Sequence, residues 1–144
     1  MKKLALTIAA ATMAVGSLTV PAVGQAQELR EVNWYRIQTI KWKSGKGERA
    51  HQIIEMFEKV DKALGWNDVI DFHMGTGEWD SIVAIRMRNG IASMGWKEDP
   101  DDKKWEAEFF KQVGGEEKGK ALWAEFEECM EESQFQIGHI DVGE

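Results

Sequence analysis

The sequence predicts an α+β domain in which one antiparallel sheet of four strands carries its helices on a single face. Three features predict it. Segments rich in β-branched and aromatic residues alternate with stretches of helical apolar spacing, the middle pair of strands is joined by a link too short for a parallel crossover, and the first and last strands both show period-two patterning.

The chain opens with Lys2 and Lys3, an apolar run from Leu4 to Val23 without an ionisable side chain, and the small-residue exit Gly24, Gln25, Ala26. This is the pattern of a secretory signal cleaved after Ala26. Pro21 breaks the apolar run, which argues against a membrane anchor. The expected organisation is a signal peptide at 1–26 and one domain at 27–144, exported to the periplasm or the medium.

From Val32 to Lys43 the chain reads as a long first strand, with Tyr35, Ile37 and Thr39 alternating with Trp34, Arg36, Gln38 and Ile40. A turn at Ser44, Gly45, Lys46 and Gly47 leads to a helix over 48–64. There Ala50, Ile53, Ile54, Phe57, Val60 and Leu64 form one apolar face, and Gly65 stands where a left-handed cap belongs. Asp68 to Met74 and Trp79 to Arg88 read as an antiparallel pair around Gly75, Thr76, Gly77 and Glu78. Ile91 to Trp96 fits either a loop or a helical turn.

Asp99, Pro100, Asp101 and Asp102 form the clearest helix start in the chain: an N-cap acceptor, a proline in the first turn, and carboxylates against the positive end of the dipole. That helix places Trp105, Phe109 and Val113 four apart and stops at Gly114 and Gly115. A further helix is expected over 116–132, burying Leu122, Phe126, Cys129 and Met130. Phe135, Ile137 and His139 then alternate through a final strand. The order β-α-β-β-α-α-β is the ferredoxin-like split βαβ plan with its second helix in two pieces.

Without the leader the chain carries 16 basic and 25 acidic residues, a net charge of 16 − 25 = −9. Nucleic acid and anionic membrane surfaces are poor partners for such a chain. Cys129 is the only cysteine, so no internal disulfide can form. Its flanking Glu127, Glu128, Glu131 and Glu132 would raise a thiol pKa, which makes it a packed helix residue rather than a nucleophile.

The run Gly77, Glu78, Trp79, Asp80 followed by Ser81, Ile82, Val83, Ala84 and Ile85 resembles the small hairpin of the dimeric α/β-barrel superfamily. The passage from the first strand through Lys43, Ser44, Gly45 and Lys46 into the helix is similar to that superfamily too. The resemblance spans about residues 32–141 and implies two protomers packed sheet to sheet, often around a small cavity. Members range from cofactor-free monooxygenases and haem-handling enzymes to isomerases and ligand-sensing domains, so the resemblance implies no single activity. It carries over no catalytic residue.

With Tyr35 and Ile37 turned to the helices, Arg36 and Gln38 point into the space between two sheets, where polar groups must be paired or bind something. Trp34 shares their face, and Asp71 and His73 share a face of the second strand. Trp34, Arg36, Gln38, Asp71 and His73 are therefore the candidate ligand-binding residues; a polar dimer interface or a solvated sheet face accounts for them equally well. His51, His73 and His139 are scattered, and the acidic runs at 98–102 and 125–132 lack calcium-loop spacing, so neither a metal nor another cofactor is expected. Of the seven tryptophans, Trp79 and Trp105 suit the core, whereas Trp34, Trp42 and Trp96 suit a pocket or a dimer seam. Asp80 is expected to accept backbone hydrogen bonds that fix the hairpin.

The leading functional expectation is a non-catalytic exported homodimer that holds a small aromatic or amphipathic molecule between sheet and helices. A cofactor-independent monooxygenase or isomerase, with Arg36 and His73 polarising its substrate, is the alternative. A protein-protein assembly module is the third reading.

Overall fold

The structure, a computed structural model, describes residues 31–142; the predicted leader lies outside them. In chain order it contains β1 (Val32–Trp42), α1 (Gly47–Leu64), β2 (Val69–His73), β3 (Ser81–Arg86), a 3-10 turn (Ile91–Gly95), α2 (Pro100–Val113), α3 (Glu116–Cys129) and β4 (Met130–Asp141). The four strands form one sheet in the order β2-β3-β1-β4, with every neighbouring pair antiparallel. This is the predicted ferredoxin-like arrangement. Among the described residues no helix is long and apolar enough to cross a membrane.

The local signals work as expected at three helix ends. Gly65 takes φ 70° and returns its N–H to the carbonyls of Asp61 and Lys62. Asp99 accepts from the Asp101 N–H at 2.9 Å, with Pro100 in the first turn. Gly114 closes α2 at φ 88°. The α3/β4 boundary differs from expectation, because α3 ends at Cys129 and the strand begins at Met130 rather than near Phe135. No glycine or proline marks this change. Pairing of Trp42 with Met130 and of Lys41 with Glu132 decides it, and the register shift between the two pairs absorbs Glu131.

The inner end of β1 is held on both sides. The Lys43 N–H donates to the Cys129 carbonyl at 2.8 Å. On the other side β3 begins only at Ser81, opposite Ile40, and the Asp80 carboxylate supplies one more rung by accepting the Trp42 N–H at 2.7 Å. Asp80 accepts backbone hydrogen bonds on both sides: its carboxylate ties β1 to β3, and its main-chain carbonyl takes the Met74 N–H at 2.8 Å across the β2–β3 hairpin, as expected.

The core forms where Ile40 and Trp42 meet Ala50 and Ile53 of α1 and Phe126 and Cys129 of α3. Ile40 is 1% exposed and Trp42 8%, so Trp42 belongs to the core and not to a seam. Farther out Phe57 is the hub of an aromatic cluster, its ring 5.1–5.5 Å from those of Trp105, Phe109, Trp123 and Phe126. Such contacts each add about 0.5–1.5 kcal/mol beyond area burial. Cys129 is buried, as its helical position predicts. A bidentate pair of Arg49 with Glu125, both contacts 2.7 Å, joins α1 to α3. It holds the Glu125 carboxyl below its ordinary range.

Two predictions follow from the helix layer. A Cβ at Gly119 would lie 2.3 Å from the Phe110 ring and 3.3 Å from Phe109. Gly119→Ala should therefore lower stability by about 1–3 kcal/mol in denaturant titration, despite its roughly 1 kcal/mol gain in helix propensity; an unchanged midpoint would show that α2 and α3 are not so closely packed. The second concerns Asp61, which accepts the Trp105 indole N–H at 2.8 Å. Burial raises its carboxyl above the ordinary 3.8 and outweighs that hydrogen bond, with Asp68 and Glu58 adding to the rise. A raised folded-state pKa means a contribution that is full below the unfolded value and lost as pH rises through the folded one. Asp61→Asn keeps an oxygen for the indole, so it should melt higher than wild type at neutral pH and lose that advantage at acid pH. A lower melting temperature at neutral pH would contradict this.

Candidate functional site

Strand register settles which side each candidate residue occupies. Because Ile40 and Trp42 are sealed beneath the helices, the even-numbered residues of β1 face the helix layer, and Tyr35, Ile37 and Thr39 face the uncovered side. The expectation that Tyr35 and Ile37 meet the helices is thereby overturned. Burying one such side chain is worth about 1.5–3 kcal/mol, and the opposite setting would expose both Ile40 and Trp42. Pairing carries the assignment outward: Gln38 opposes Val83 and Val83 opposes Asp71, while Ile40 opposes Ser81 and Ser81 opposes His73. Trp34, Arg36, Gln38, Asp71 and His73 thus do share one face, but it is the helix side and not the space between two sheets.

They do not converge. Arg36 and His73 stand two strands and four residues apart, on the order of 16 Å from strand spacing and rise, which is too far to polarise the same bond from those positions. The five residues fall into two groups.

The first group lies on β1 and β4. Trp34 tilts against His139 with ring centroids 4.9 Å apart. Arg36 opposes Ile137 and Gln38 opposes Phe135. From helix α2, Asp102 accepts from Arg36 Nη2 at 3.0 Å, and Gln38 Nε2 approaches Met130 Sδ at 3.6 Å. Phe135 is left 72% exposed. The result is a shelf of Trp34, His139, Ile137 and Phe135 with the guanidinium and carboxamide of Arg36 and Gln38 between them. Both partners of the Arg36–Asp102 pair are about half exposed, and such pairs hold by roughly 0–1 kcal/mol. The guanidinium can therefore be drawn to an incoming anion at small cost.

The second group lies at the far edge. His73 Nδ1 is 3.1 Å from His51 Nε2 in the first turns of α1, and His73 Nε2 is 3.7 Å from Asp71 Oδ2. Burial raises the Asp71 carboxyl and the two histidines oppose that rise. Its Oδ1 has no protein partner, and neither has the hydroxyl of fully buried Ser81, the cross-strand neighbour of His73. The His51–His73 contact is invisible to sequence spacing, since it requires α1 to cross the β2 edge. Among the described residues no group of three or more His, Cys, Asp or Glu side chains is arranged to hold a metal ion.

Two surface depressions share no lining residue with either group. One of about 430 Å³ is lined by Met56, Gln112, Val113 and Leu122 among others on the helix layer. Another, of about 370 Å³, is lined by Asp68, Arg86, Arg88, Asn89 and Asp101. The charges of the latter are largely matched, with Arg88 bridging Asp68 and Asp101 and lying over Trp66 at 4.7 Å.

No family model and no curated relative matches the chain. The fold is similar to that of a NIPSNAP family protein with unknown function from Agrobacterium tumefaciens strain C58, at 15% identity and a TM-score of 0.47, over 76% of this chain and 88% of that one. A second crystal structure, of protein Atu4242 from Agrobacterium tumefaciens, aligns at 16% identity and a TM-score of 0.46, over 73% and 90% of the two chains.

Proposed function

We propose that the protein is an exported homodimeric binding domain of the dimeric α/β-barrel kind, which holds a small aromatic or amphipathic molecule on the helix side of β1 and β4. The observation that carries this reading is the shelf. Four aromatic or apolar side chains lie together where the helices stop short, and a cation and an amide sit among them. A flat apolar body with an anionic or polar end fits that chemistry: the rings and Ile137 take the body, and Arg36 exchanges Asp102 for the polar end.

Dimerisation has its own support. The uncovered face carries Ile37, Ile70, Phe72, Ile82 and Ala84 in adjoining register positions of three strands, with Phe72 54% exposed. Arg86 and Lys41 mark the two ends of this patch and no charged residue stands inside it, so a second copy laid over its middle buries apolar area. An apolar face in a chain of strong negative net charge suits a partner of this complementary shape better than it suits solvent.

The ligand reading is tested with anilinonaphthalene sulfonate, an aromatic anion whose fluorescence rises on apolar surfaces. Folded wild-type protein should bind it saturably, and Trp34→Ala or Phe135→Ala should each weaken binding about tenfold, the size of one lost aromatic contact. Equal affinity in all three would remove the shelf as the site. For the dimer, sedimentation equilibrium should give twice the chain mass. Phe72→Glu should weaken association by roughly 30-fold or more, as loss of a central aromatic anchor does. A monomeric wild type would end that part of the proposal and leave the shelf standing.

A further inference from the structure

We propose that His51 and His73 form a binding site for a divalent transition cation of the copper(II), nickel(II) or zinc(II) class, with Asp71 positioning His73. The facing nitrogens, His51 Nε2 and His73 Nδ1, are 3.1 Å apart. With metal–nitrogen bonds of 2.0–2.1 Å, that separation corresponds to an N–metal–N angle of about 98°, between the square and tetrahedral values. Imidazole donors suit these ions and not calcium or magnesium.

The surroundings fit ligation. The second ring nitrogen of His73 faces Asp71 Oδ2 at 3.7 Å, and a carboxylate behind a ligating histidine fixes its tautomer and orientation. Asp71 is itself held in place, its side chain only 16% exposed. Trp42, part of the core, meets the His51 ring in an edge-to-face contact with centroids 6.3 Å apart. The His73 side chain is largely exposed, so the site is open to solvent, and water or an exogenous ligand completes the coordination.

Proton bookkeeping is simple. A direct imidazole–imidazole hydrogen bond places one N–H on the line between the rings. For both nitrogens to ligate, that proton moves through solvent, leaving N–H on His51 Nδ1 and on His73 Nε2 beside Asp71, with no net proton released from a neutral pair.

The test uses chelator-treated, tag-free protein titrated with copper(II) and followed by calorimetry and electron paramagnetic resonance. Wild type should take up one equivalent with a spectrum split by two imidazole nitrogens. That signal should be lost in His51→Ala and in His73→Ala, both checked for folding by circular dichroism, and Asp71→Asn should weaken affinity about 10- to 100-fold while keeping the spectrum. Nitrogen NMR of the wild type needs no variant: zinc(II) should shift His51 Nε2 and His73 Nδ1 and leave His139 in place. Undiminished copper uptake in either folded histidine variant, or zinc that leaves both resonances unmoved, would reduce the contact to an ordinary hydrogen bond and overturn the site.

Discussion

Burial of Ile40 and Trp42 beneath α1 and α3 is the contact on which the rest of the structure depends. β1 is an inner strand, paired with β3 on one side and β4 on the other, so the side chosen by these two residues is passed by register to every residue of the sheet. The choice is secured at the strand end, where Asp80 and the Cys129 carbonyl take the N–H groups of Trp42 and Lys43. From it follow the helix-side placement of Trp34, Arg36 and Gln38 and of Asp71 and His73, and the apolar patch around Ile37, Ala84 and Ile70 on the face left uncovered.

The helix layer covers its side of the sheet unevenly, and both candidate sites arise at its margins. α1 and α3 close over the inner end of β1, and α2 joins them through the aromatic cluster around Phe57. Toward the outer part of β4 this cover thins, which leaves Phe135 and Ile137 beside Arg36 and Gln38. At the opposite edge the start of α1 overhangs β2 far enough to set His51 on His73. One packing arrangement therefore produces an amphipathic shelf on one flank and a polar pair on the other.

Much of the element order was legible because its punctuation is local. Asp99 with Pro100, Gly65 and Gly114 act within one turn of themselves, and the structure keeps each of them. The facing of β1 was not legible, because both of its sides carry aromatic and branched residues: Trp34, Ile40 and Trp42 on one, Tyr35 and Ile37 on the other. Period two shows that the sides differ and not which of them meets the helices. The start of β4 was hidden for a related reason, since Glu131 and Glu132 favour helix locally and only pairing with Lys41 and Trp42 makes that segment a strand. Register brings the candidate ligand residues onto one common face, yet nothing in their spacing separates Trp34, Arg36 and Gln38 from Asp71 and His73. His51 joins the latter pair through tertiary packing alone.

The measurement that bears most directly on this account is a methyl-resolved nuclear Overhauser spectrum of the isoleucines of β1. Ile40 should show cross-peaks to Ala50 and Ile53 of α1, while Ile37 should show none to any helix of its own chain. Cross-peaks from Ile37 to α1 or α3, with Ile40 silent toward them, would reverse the face of every strand and contradict it.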